Sequence, residues 1–249
     1  MTILFDLDGT LTDPYLGISR CIEYALGAID SSVPDGTDLS TFIGPPLRGT
    51  LLALCGDEER AGRALAAYRE RFAATGLYEN VVYQGVPAML DDLRGHRLYV
   101  CTAKPAVYAK RIVEYFGLSA YFAGVYGCEL DGTRGEKADL IAWLLEREGL
   151  ESAACVMVGD RSHDMVAAAR NGVRGLGALW GYGSEAELTQ AGAVRTFRSP
   201  AELAAWFGGL GPEPSGSVYG AAARRYAAHS LTSPHNALYE RPAMEALIG

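Results

Sequence analysis

Short runs of consecutive apolar residues recur along the chain, at Ile3–Phe5, Leu98–Cys101, Val125–Tyr126, Cys155–Val158 and Gly175–Leu179. Runs this short, without alternation, suit strands buried on both faces. Between them lie stretches whose apolar residues return at helical spacing: Pro87–Leu93, Val107–Phe116, Ala138–Glu148 and Met165–Asn171. Strands alternating with helices predict an α/β fold, a parallel sheet with helices on both faces. Residues 15–80 break the alternation. Ile18, Cys21, Ile22, Ala25 and Leu26 share one helical face, as do Leu47, Leu51 and Leu54, and Ala61–Phe72 is rich in Ala, Arg and Glu. This predicts a helical insert after the first strand, between Asp13 and about Asn80, lying over the strand ends as a lid. The predicted division is a core of 1–14 and 81–207, an insert of 15–80, a Gly/Pro/Ser linker at 208–217, and a separate extension at 218–249.

Composition narrows the class. The 249 residues are 49% apolar and 21% charged, ordinary for a globular protein with a real core. A net charge of -8 argues against a nucleic-acid surface. It also means that an anionic substrate must be held by local positive charge. No apolar run reaches the length of a membrane span. Thr2–Phe5 runs straight into acidic residues, which leaves no leader pattern there. Cys21, Cys55, Cys101, Cys128 and Cys155 form no C-x-x-C pair, which predicts free thiols in a reducing, cytoplasmic setting. His96, His163, His229 and His235 lack zinc-ligand spacing.

The chemistry-bearing residues follow the strands. Asp6 and Asp8 come directly after Ile3–Phe5, on a turn opened by Gly9. Two acids at the end of a buried strand are costly unless something positive sits against them, and a divalent metal with a phosphate-handling reaction would justify the cost. Thr102-Ala103-Lys104 follows Leu98–Cys101, and Gly159-Asp160-Arg161-Ser162-His163-Asp164 follows Cys155–Val158. Three separate segments therefore deliver polar groups to the carboxyl edge of one sheet, where such folds bind ligands.

Asp6-Leu7-Asp8-Gly9-Thr10, Thr102, Lys137 and Asp160 with Asp164, in that order, resemble the haloacid dehalogenase superfamily, in its phosphoglycolate phosphatase-like and 5'-nucleotidase-like branch. The resemblance covers about 1–207. It implies a Rossmann-like core with a helical cap of the kind inserted after the first strand. It also implies hydrolysis of a small phosphomonoester through an aspartyl-phosphate. On that resemblance Asp6 is the nucleophile and Asp8 the general acid and then base. Mg²⁺ is held by Asp6, the Asp8 carbonyl, Asp160 and Asp164, the last directly or through water. A bound cation answers a repulsion of about 4 kcal/mol between like charges about 4 Å apart at an effective dielectric near 20. Thr102 and Lys137 would steady the phosphoryl group. Gly9, Thr10, Ala103 and Lys104 would line its pocket, where relatives often carry Ser or Asn in place of Ala103.

Arg48, in Gly44-Pro45-Pro46-Leu47-Arg48, either reaches an acidic group on the substrate or is only a helix-start residue. Arg161 and His163, in the metal loop, are expected to be structural or rim residues rather than catalytic ones. The segment from Val218 resembles the leading part of class I S-adenosylmethionine-dependent methyltransferases, without their Gly-rich loop. It implies a piece of a fused methyltransferase domain or a remnant of one, with no methyltransferase activity here, or a methyltransferase partner, or else a helical extension. Beside hydrolysis stand a phosphotransferase or phosphomutase using the same residues, and a binding module tied to a methyltransferase. Dehalogenation has no need of Asp8.

Overall fold

In chain order the strands are β1 (Thr2–Phe5), β2 (Thr12–Asp13), β3 (Val81–Val82), β4 (Arg97–Pro105), β5 (Gly124–Cys128), β6 (Cys155–Gly159), β7 (Arg174–Ala178) and β8 (Arg195–Phe197). The helices are α1 (Tyr15–Gly27), α2 (Leu47–Cys55), α3 (Glu58–Arg71), α4 (Val86–Asp92), α5 (Ala106–Tyr115), α6 (Lys137–Glu148), α7 (Ser162–Arg170), α8 (Glu185–Gln190) and α9 (Pro200–Gly209). This computed structural model describes residues 1–209, all within the unit Met1–Glu213.

Six strands form one parallel sheet in the order β5-β4-β1-β6-β7-β8. β1 sits between β4 and β6, so their carboxyl ends open side by side. Side chains alternate across the sheet, as the pleat requires. Ile3, Phe5, Leu98, Val100, Val156 and Val158 face a core shared with Leu90 of α4, Ile112 of α5 and Leu203 of α9. Leu4, Tyr99, Cys101, Cys155 and Met157 face the other way, onto Leu140, Ile141 and Leu144 of α6 and Ala167 and Ala168 of α7. Burial on both faces is why these strands read as unbroken apolar runs.

Residues between β2 and β3 are helical, α1 to α3, ending in a π-helical turn at Phe72–Gly76. β2 and β3 pair antiparallel where the chain leaves the sheet and where it returns. Asn80 Nδ2 donates to Thr12 Oγ1 at 3.2 Å across that pair. Within the helical segment, the Glu79 carboxylate accepts from both Arg71 and Arg20.

Several expectations needed correction. β2, β3, β8, α8 and α9 were not foreseen. β4 does not stop at Cys101 but continues through Lys104 to Pro105. α9 runs to Gly209, so Gly208 and Gly209 are helical rather than the start of a linker. The rest of that linker and the 218–249 extension, with its methyltransferase resemblance, lie outside the described residues. All five cysteines are free, with Cys55 half-buried and the others buried. Among the described residues no helix is long and apolar enough to cross a membrane.

Candidate active site

Asp6 continues β1 past its last strand residue. Its amide donates to the Val158 carbonyl at 2.9 Å, so the sheet fixes its backbone. The chain then folds back sharply: the Leu7 carbonyl accepts from Thr10, Leu11 and Thr12, and Gly9 takes a φ of 83°. A side chain at Gly9 is excluded twice over, because a Cβ there would stand 2.2 Å from Asp160 Oδ2. The Asp6 side chain is only 4% exposed. Burial pushes its carboxyl up to about 6, with Lys137 working downward and Asp164 and Asp8 upward.

Lys137 is the first residue of α6, and its buried ammonium joins two acids. It lies 2.9 Å from Asp6 Oδ1 and makes a short hydrogen bond to Asp164 Oδ1. Burial works to discharge Lys137, but Asp164 and then Asp6 outweigh it and hold the ammonium above its ordinary value. Asp164 sits in the first turn of α7, where its Oδ2 accepts the Arg161 amide at 3.1 Å and the helix dipole favours a carboxylate. Burial raises the Asp164 carboxyl, and Lys137 and His163 more than reverse that, leaving it below the ordinary range.

Asp160, fully buried, accepts from Thr10 Oγ1 at 3.1 Å and from the Tyr182 amide at 2.9 Å. Burial, then Asp164 and Asp6, lift its carboxyl well above the usual value. The loop after β7 closes around it. A Cβ on Gly181 would meet the Gly9 carbonyl at 2.1 Å, and one on Gly183 would meet the Asp160 carbonyl at 1.9 Å. Trp180 Nε1 donates to the Thr10 carbonyl at 2.9 Å.

On the other flank, Thr102 is buried and its hydroxyl oxygen accepts the Lys104 amide at 3.3 Å. The Ala103 carbonyl takes the Cys128 thiol. Lys104 Nζ lies 2.8 Å from Asp8 Oδ2.

The structure thus gathers Asp6, Asp8, Gly9, Thr10, Thr102, Lys104, Lys137, Asp160 and Asp164 at one end of the sheet. It does not bring Arg48 there. Arg48 pairs with Glu58 at 2.8 Å on the exposed side of the insert, with its side chain 72% exposed. The insert reaches the acids through the preceding loop instead. Arg161 donates to the Ile43 carbonyl at 2.9 Å, and a Cβ on Gly44 would stand 2.9 Å from His163 Cε1.

The imidazole of His163, for which a structural or rim place is expected, lies beside the acids. Ligand atoms of Asp6, His163 and Asp164 fall within 4.8 Å of one another. The only sequence signal was its place one residue before Asp164. The loop of Trp180–Gly183 was also missed, although Trp-Gly-Tyr-Gly just past a strand is a turn signal.

A divalent cation fits these residues. Asp6, Asp160 and Asp164 share the single ammonium of Lys137, since Lys104 is taken by Asp8, and burial with mutual repulsion lifts the Asp6 and Asp160 carboxyls, a cost that a bound cation would relieve. Arg161 is already matched by Glu187. Asp8 Oδ1 and His163 Nε2 are buried without a hydrogen-bond partner. Buried polar atoms rarely go without a partner, and a cation or an ordered water would take these up.

Residues 3–178 match the haloacid dehalogenase-like hydrolase family. The chain is 51% identical over 189 residues to a 5'-nucleotidase of Pseudomonas aeruginosa, which covers 75% of this chain and 86% of that protein. It is 41% identical over 183 residues to the tyrosine-protein kinase PtkA of Mycobacterium tuberculosis, 73% of this chain and 62% of PtkA. The crystal structure of a predicted phosphatase from Clostridium acetobutylicum superposes with a TM-score of 0.79 at 40% identity, covering 84% of this chain and 98% of that one.

Proposed function

The chain belongs to the haloacid dehalogenase-like hydrolase family, and on that premise we propose that it is a Mg²⁺-dependent phosphatase acting on a small phosphomonoester. One observation carries the reading. Asp6 presents a buried carboxylate at the end of the central strand, flanked by the Lys137 ammonium and by two more acids. A lone buried carboxylate is a poor nucleophile toward a dianion, and this surrounding is what makes the approach feasible.

Asp6, Asp160, Asp164 and the Asp8 carbonyl would hold the metal, and carboxylate oxygens suit Mg²⁺. When bound, the cation offsets the charge of the phosphoryl oxygens as Asp6 approaches. Asp6 attacks phosphorus, and the bond from phosphorus to the ester oxygen breaks with its electron pair on that oxygen. Asp8 gives the oxygen a proton. Asp8, now a carboxylate, then takes a proton from the water that attacks the aspartyl-phosphate. Lys137 keeps Asp6 and Asp164 oriented through both displacements, and the Thr102 hydroxyl donates to the phosphoryl oxygens.

The test is phosphate release from p-nitrophenyl phosphate and from a panel that includes nucleoside monophosphates, which the named activity of the Pseudomonas relative puts first. Turnover is expected with Mg²⁺, and to vanish with EDTA and in Asp6→Asn. Turnover that survives both would defeat the proposal.

The similarity to PtkA supports a second reading, in which the phosphoryl group on Asp6 passes to an acceptor hydroxyl rather than to water. The same side chains serve. Turnover that appears only with an added acceptor, a tyrosine-containing peptide among them, would select that reading.

A further inference from the structure

Lys104 stands where a phosphate-binding side chain is expected, yet the protein already employs it. The register of β4 against β5 shifts between Thr102 and Pro105, so the strand is irregular at Ala103 and Lys104. Irregularities of this kind beside a site re-aim a side chain. Close packing fixes this one, because a Cβ at Gly127 would stand 2.3 Å from the Lys104 carbonyl oxygen. The Lys104 side chain is 7% exposed, with Nζ 2.8 Å from Asp8 Oδ2 and 4.4 Å from the centre of the Phe72 ring. Phe72 opens the π-helical turn of the insert, where its ring packs against Tyr68 and Tyr108. The other Asp8 oxygen, Oδ1, is buried with no hydrogen-bond partner.

We propose that Lys104 is a positioning residue for Asp8, and that Phe72 ties that position to the seating of the helical insert. The inference rests on the reading of Asp8 as the proton carrier. By engaging Oδ2, Lys104 leaves Oδ1 as the oxygen that exchanges the proton. As the bond from phosphorus to the ester oxygen breaks, its electron pair stays on that oxygen. The Asp8 proton moves to the same atom, and Lys104 then faces the carboxylate that remains. A desolvated ammonium over an aromatic face is a specific attraction. Displacing the insert would remove the ring and slacken the hold on Asp8.

Two esters read this out in the full chain with saturating Mg²⁺. The leaving group of p-nitrophenyl phosphate departs as a stable phenolate without needing a proton, whereas that of glycerol 2-phosphate needs one. Lys104→Met is expected to lower kcat on glycerol 2-phosphate about 100-fold. On the aryl ester the loss is expected to be less than about fivefold, with KM for both within about twofold. Phe72→Leu keeps an apolar side chain but removes the ring, and should give the same selective loss at about tenfold.

Equal losses on both esters, or a raised KM at unchanged kcat, would overturn the proposal and make Lys104 a phosphate ligand or a mere packing residue. If circular dichroism shows Lys104→Met unfolded, Phe72→Leu decides alone: selective loss supports the tie and its absence overturns it. A wild-type protein inert toward both esters would instead sink the phosphatase reading, and this inference with it. An active wild type with unselective variants sinks the inference only.

Discussion

At the scale of single residues, the site is governed by how many carboxylates share so little positive charge. The Asp6 carboxyl titrates near 6 in the folded protein, above the ordinary 3.8, because burial and then its acidic neighbours outweigh Lys137. The folded state therefore holds that proton more tightly than the unfolded chain. Its contribution to stability is present below about pH 3.8 and is lost as the pH rises through about 6. A divalent cation competes with the proton for the same carboxylate. If Mg²⁺ binds as proposed, it is expected to raise Tm, and by more at about pH 7 than at about pH 5. Equal rises measured by scanning calorimetry would count against Asp6 as a ligand. Gly9→Ala is the sharpest steric probe, since its Cβ would overlap Asp160 Oδ2 at a φ that only glycine takes readily. Misplacing the acids by about 1 Å should cost about 100-fold in kcat/KM, and unchanged kinetics would show that Asp160 can give way freely. Asp6 and Asp160 were legible in the sequence because each comes just past an apolar strand, whereas Lys137 was singled out through the family resemblance. Phe72 and His163 were not. A lone aromatic on a helix reads as core, and a lone histidine at a helix start has no spacing to mark it.

At the scale of elements, legibility followed burial. β1 and β6 were found almost to the residue because both faces of each strand are packed. β8 has three residues with Phe197 alone fully buried, and β2 and β3 have two residues each, so no apolar run marks them. The π-helical turn was equally invisible, because it arises from how α3 meets α1 rather than from local preference. Gly17 of α1 and Gly76 of the turn let the two backbones touch: a Cβ at Gly17 would stand 2.1 Å from the Gly76 carbonyl oxygen. Gly17→Ala must push the turn away, and helix propensity cannot offset that. The expected loss is about 1–3 kcal/mol, which lowers Tm by several degrees in a chain of this size. Because Phe72 begins that turn, the variant should also lose activity faster than stability alone explains. Calorimetry alongside kcat separates the two, and an unchanged Tm would show that the contact is slack.

At the scale of the whole molecule, charge and site pull in opposite directions. The sequence carries a net charge of -8, so a phosphate dianion approaching from solvent meets repulsion at long range. The positive groups nearest the site, Lys104 and Lys137, are buried and matched by Asp8, Asp6 and Asp164. Their attraction therefore acts only at close quarters, once a cation has met the remaining negative charge. Screening weakens interactions across more than about 10 Å at 0.1 M salt and leaves buried contacts nearly intact. Added salt should thus relieve the distant repulsion while sparing the local hold. With Mg²⁺ kept saturating, kcat/KM for a dianionic ester is expected to hold or rise between about 0.05 and 0.3 M NaCl. An enzyme that steers its substrate with a positive surface shows the opposite slope. A steep fall in kcat/KM over that range would mean that exposed cations of this chain guide the phosphate inward.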